Sequence, residues 1–70
     1  MEIRIGGIYR HYKGNMYKVL FVATHTETEE KLVVYQDLND ESKIWARPFE
    51  MWNEKVKTEN GEKPRFESLS

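Results

Sequence analysis

At 70 residues, the chain has room for one domain, 1–70, and not for two. Eleven lysines and arginines against twelve aspartates and glutamates leave a net charge of −1, which argues against duplex DNA as a partner, since generic duplex binding draws on many phosphate contacts from a clearly basic surface. Cysteine is absent, which excludes a disulfide scaffold, a thiol nucleophile and cysteine-ligated metal clusters. The longest apolar run, Val19 to Ala23, is too short to span a membrane. No apolar leader opens the sequence, and the chain reads as a cytoplasmic protein that calls for no cofactor.

Taken in order, residues 1–5 read as an edge strand or a tail, broken by Gly6 and Gly7. Ile8 to Lys13 reads as the first full strand, and Gly14-Asn15 as the turn that ends it. Met16 to His25 is the longest strand candidate. Strict alternation puts Tyr17, Val19, Phe21, Ala23 and His25 on one face of it. Thr26, Glu27 and Thr28 form a hairpin tip, and Glu30 to Gln36 returns as the third strand. Asn39-Asp40 is a turn, and Lys43 to Arg47 is a fourth strand that Pro48 ends, because proline has no ladder donor. Phe49, Met51 and Trp52 fall around one turn of helix, Val56 opens a last short strand, and Asn60-Gly61 makes another turn. The core is expected over about 7–58, with 59–70 as a tail that docks through Phe66 and Leu69. The pattern predicts an all-β domain with one short helical turn, either a small SH3-like barrel or a strongly twisted antiparallel sheet. A domain this small buries roughly 60% of its unfolded surface, which favours a shallow surface site over an enclosed one.

Several combinations carry a family resemblance. They are Tyr9-Arg10-His11-Tyr12-Lys13-Gly14, His25-Thr26-Glu27-Thr28, Val33-Val34-Tyr35-Gln36, Trp45-Ala46-Arg47-Pro48 and Pro64-Arg65-Phe66. Together they resemble a family of small uncharacterised bacterial proteins, the domain-of-unknown-function family 1653, over about Gly7 to Phe66. Leu38-Asn39-Asp40 departs from the family's Leu-Tyr-Gly tendency, and Trp52 stands where phenylalanine is usual. The resemblance implies a compact β-rich fold in the cytoplasm and implies no activity.

Three functional readings come from the residues. Trp45 and Arg47 share a strand face, and Tyr35 on the preceding strand lies across from one of them. With Tyr12 and His25 they make an aromatic and guanidinium surface on which a peptide side chain or a base stacks. The plainer reading pairs Arg47 with Glu50 or Glu54 and buries Trp45. The first functional reading is therefore a binding or adaptor module for a protein or peptide partner, using Tyr12, His25, Tyr35, Trp45 and Arg47. The second is a single-stranded RNA-binding module on the same surface. The third is a metal-assisted hydrolase using His11, His25 and Glu27, with His25 and Glu27 about 7 Å apart on one strand face. Their spacing matches no established metal-ligand pattern. The charge is uneven, with a net of +3 over residues 1–26 and −4 over 27–70.

Overall fold

A computed structural model describes residues 3–52 and 54–69. The expectation for the first strand falls partly on residues 1 and 2, outside the described residues. From Ile3 onward the N-terminal segment makes no strand. It turns at Gly6 and Gly7, with the Gly7 amide donating to the Arg4 carbonyl at 3.0 Å. A Cβ on Gly7 would stand 2.9 Å from that carbonyl oxygen, so the turn accepts only glycine there.

Among the described residues, seven strands and one helical turn follow. They are β1 (Ile8–His11), β2 (Met16–Thr24), β3 (Lys31–Asp37), β4 (Ile44–Pro48), α1 (Phe49–Trp52), β5 (Lys55–Thr58), β6 (Gly61–Pro64) and β7 (Phe66–Ser68). The main sheet is antiparallel, in the order β4-β3-β2-β1-β7, and β5 and β6 form a separate hairpin. The fold is a small antiparallel β domain with one helical turn. Among the described residues no ladder joins β4 to β7, so the hydrogen bonding is that of an open sheet. The helical turn α1 is four residues long, and among the described residues no helix is long and apolar enough to cross a membrane.

Local chemistry explains the joins. Gly14, at φ 107°, closes the β1–β2 hairpin in a conformation that strongly favours glycine. Asp40 accepts hydrogen bonds from the Ser42 amide at 3.1 Å and hydroxyl at 2.6 Å, holding the β3–β4 turn. Pro48 is the last residue of β4 rather than its terminator, paired with Leu32. This is tolerated because β4 is an edge strand and needs no donor on its outer side.

Two expectations are corrected by long-range pairing. Within the expected tail 59–70, the described residues 59–69 are not a tail. They carry β6 and β7, and β7 pairs with β1, setting Phe66 opposite His11. Phe66 does dock, but Leu69 remains 42% exposed. Strict alternation also fails within β2. Val19 pairs with Tyr35 and Phe21 with Val34, so Leu20 is an extra residue in a β-bulge. The bulge switches faces, turning Val22 toward Val33 and sending Phe21 to the opposite side from Val19, where it is 55% exposed. The core is Tyr9, Val19, Val33, Tyr35, Trp52 and Phe66, with Ile3, Tyr17 and Phe49 packed against it.

Candidate ligand-binding face

Residues directly opposed in a sheet project from the same face. The register opposes Tyr9 to Tyr17, Val19 to Tyr35, Tyr35 to Trp45, Val33 to Arg47 and His11 to Phe66. One face therefore gathers aromatic rings and a guanidinium from five strands. The short α1 covers part of it with Trp52, which stacks on Phe66 at 3.7 Å and 3° between planes. Trp45 lies beyond this cover and stays 40% exposed. Its ring meets Tyr17 at 5.7 Å and Tyr35 at 5.8 Å.

Arg47 sits beside it, half-buried. Its Nε donates a long hydrogen bond to the Tyr35 hydroxyl at 3.4 Å, and its guanidinium lies 5.5 Å from the centre of the Phe66 ring. Neither expected carboxylate reaches it. Glu54 pairs with Arg65 instead, at 3.4 Å. Among the described residues no acid forms a salt bridge with Arg47. Three of the residues expected on a binding surface, Tyr35, Trp45 and Arg47, are thus brought together, with Tyr35 buried as their floor. Phe66 and His11 join them through the β1–β7 pairing.

His11 links this face to Tyr12. Its ring meets Phe66 edge-on at 5.0 Å and lies 4.6 Å from Tyr12 on the other side. The Lys13 amide donates to His11 Nδ1 at 3.2 Å, so the neutral ring carries its proton on Nε2. Partial burial, reinforced by the charges of Arg47, Arg65 and Lys13, holds the His11 pKa below the ordinary value of 6.5. Between the two pKa values the unfolded chain binds the extra proton, so this contribution is complete above pH 6.5 and is lost as pH falls through the folded value. His11→Gln is expected to flatten that part of the stability curve. Parallel thermal melts of both proteins across the acidic side of pH 6.5 check it, and identical slopes would refute it.

Residues 7–68 match the sequence family DUF1653, described as protein of unknown function. The chain belongs to the DUF1653 family. A crystal structure of a DUF1653 protein from Bordetella bronchiseptica is similar to it, with a TM-score of 0.82 and 42% identity over 93% of this chain and 85% of that one. A comparison with curated proteins finds no match.

In this DUF1653 chain His25 stands apart from the aromatic face. It follows β2 and organises the hairpin tip, its Nδ1 accepting from the Glu27 amide at 3.1 Å and the Thr28 amide at 3.3 Å. The same turn places Glu29 at φ 62°. His11 precedes β2 and His25 follows it. Strand rise alone separates them by roughly 25 Å. The hydrolase constellation of His11, His25 and Glu27 is therefore not assembled, and His25 meets the backbone of Glu27 rather than its carboxylate. Among the described residues no group of three or more histidines, aspartates or glutamates is placed to hold a metal. The signal for His25's structural role lay in the hydroxyl-rich turn beside it, which requires an acceptor for its amides. No local signal marked Phe66 as a neighbour of His11, because that contact depends on pairing between the two ends of the fold.

Proposed function

We propose that the protein is a cytoplasmic binding or adaptor module whose ligand is an extended protein or peptide segment lying along β4, with Trp45 and Arg47 as its contacts. The observation that carries this reading is an exposed tryptophan beside a guanidinium without a carboxylate partner, both on an edge strand. In a small domain an exposed tryptophan forgoes burial, since such rings each cover roughly 150–250 Å². The outer edge of β4 has no ladder among the described residues, so its backbone groups are available to an added strand. Alternate side chains of such a segment would meet the Trp45 ring and the Arg47 guanidinium.

Selection of displayed random peptides on the wild-type protein, with counter-selection on Trp45→Ala, tests the reading. Enriched extended sequences that shift the Tyr35, Trp45 and Arg47 resonances are expected. For those peptides Arg47→Ala is expected to weaken binding about tenfold, a loss of roughly 1.4 kcal/mol. Its contact with Phe66 contributes only about 0.5–1 kcal/mol to folding, so the melting temperature falls by no more than roughly 4–8 °C. No enrichment over Trp45→Ala, or a much larger thermal loss for Arg47→Ala, would remove the binding role.

Single-stranded RNA is the second reading. The adjacent His11 and Tyr12 rings, with Lys13 Nζ 5.8 Å from the Tyr12 ring centre, favour it, because base stacking beside cations is the usual device for single strands. The net charge of −1 favours the peptide.

A further inference from the structure

Next to the aromatic face lies a shallow cleft of about 300 Å³, bordered by Arg10, His11, Tyr12 and Lys13 on one side and by Lys63 and Glu67 on the other. Three cations face a single carboxylate. That carboxylate, Glu67, stands 3.9 Å from Arg10 and offsets it. Lys13 and Lys63 form no salt bridge among the described residues. His11 adds no acceptor, since Lys13's own amide occupies Nδ1. The cleft is thus a local positive region on a chain whose net charge is negative. The acids Glu27, Glu29 and Glu30 lie at the β2–β3 tip, beyond the far end of β2. At ordinary salt, fields from exposed charges decay within about 10 Å, so that acidic end does not cancel the cleft's charge.

The cleft adjoins the aromatic face. His11 is a wall of the first and a ring neighbour of Phe66 in the second. Beyond the stretch paired with β4, a segment that turns across half-buried Tyr17, 5.7 Å from Trp45, arrives at Tyr12, Lys13 and Lys63.

We propose that this cleft is a carboxylate-binding site, taking acidic side chains of the same peptide segment whose other residues lie on Trp45 and Arg47. The proposal rests on the peptide-binding reading and specifies its ligand as a short acidic segment. Charge complementarity carries it. Two lysines without acidic partners suit a few point charges, whereas an RNA strand draws its affinity from a longer track of phosphate contacts. Tyr12, 39% exposed, supplies an apolar wall against which the methylene groups of a glutamate pack.

The test uses blocked tri-glutamate, blocked tri-glutamine and tri-uridylate, each titrated into the isotopically labelled protein at low salt. Tri-glutamate is expected to give saturable shifts at Arg10, Tyr12, Lys13 and Lys63, and tri-glutamine none. The double variant Lys13→Glu/Lys63→Glu should weaken tri-glutamate at least roughly tenfold. Lys13→Arg/Lys63→Arg should retain it, with the rest of both spectra unchanged. Non-saturating shifts, or equal shifts at Lys18, Lys31, Lys43 and Lys55, would overturn the site. Tri-uridylate saturating the cleft at lower concentration would transfer it to nucleic acid and overturn the acidic-peptide assignment. Loss of the cleft with displayed peptides still bound at Trp45 and Arg47 removes this inference alone. Failure of the peptide selection with the cleft intact removes the binding face, and with it the peptide as the cleft's ligand.

Discussion

Trp52→Ala is expected to leave the protein largely unfolded at room temperature. Trp52 is only 2% exposed, and it joins the helical turn to three separate strands. Its ring stacks on Phe66, meets Tyr9 at 5.4 Å and meets Tyr35 at 5.0 Å. Truncating a buried tryptophan costs about 3–5 kcal/mol through lost transfer energy and the remaining cavity. At roughly 0.05–0.15 kcal/mol per residue, a chain of 70 residues holds little more than that. Trp52→Phe keeps most of the apolar volume and is expected to remain folded with a lowered melting temperature. Amide dispersion and near-ultraviolet circular dichroism read the outcome. A Trp52→Ala protein with native dispersion and a melting temperature within a few degrees of wild type would mean that the Trp52–Phe66 stack is not the centre of the core.

Removal of residues 64–70 is expected to have an effect at least as large. It deletes β7, reopens the outer edge of β1 and withdraws Phe66 from beneath Trp52, His11, Tyr17, Tyr35 and the Arg47 guanidinium. It also removes Arg65, whose amide donates to the Glu54 carbonyl at 2.9 Å and whose carbonyl accepts from the Tyr12 amide at 2.9 Å. Loss of Phe66 alone accounts for about 3–5 kcal/mol. The two changes share one stack, so their costs should not add. A truncated chain that melts like the full-length protein would return the segment to the status of a tail.

The positions of β1 to β4 and of α1 were legible because each is bounded by turn residues with a local mechanism. Gly14-Asn15, Asn39-Asp40 and the threonine-rich tip after His25 are examples. The common face of Tyr35, Trp45 and Arg47 was equally legible, since it needs only alternation and the pairing of two consecutive strands. Phe21 was misplaced because both faces of β2 are apolar near its centre, and no residue type there announces the extra Leu20. Strands β6 and β7 were missed for a different reason. Lys63, Pro64 and Glu67 carry no period-2 apolar signal, and β7 becomes a strand only by adding to β1, far away in sequence. The cleft was hidden for the same reason, since Lys13 and Lys63 are fifty positions apart and acquire joint meaning only after that pairing.

The hairpin of β5 and β6 shares no ladder with the main sheet among the described residues. The Glu54–Arg65 backbone hydrogen bond and ion pair close the hairpin on itself, and its described backbone ties to the rest of the fold are the Tyr12 amide donating to the Arg65 carbonyl at 2.9 Å and the Glu54 amide donating to the Met51 carbonyl at 3.4 Å. Such a unit opens at a lower free energy than the whole fold. Its amides are therefore expected to exchange with solvent sooner than those of Val19 and Val33. Lys63 rides on that hairpin while Lys13 lies on the β1–β2 turn, so the cleft has both walls only while the hairpin is closed. Affinity there scales with the closed fraction, and any ligand gripping both lysines raises it in return. Recognition at one end of the molecule is thereby coupled to how tightly the hairpin is held.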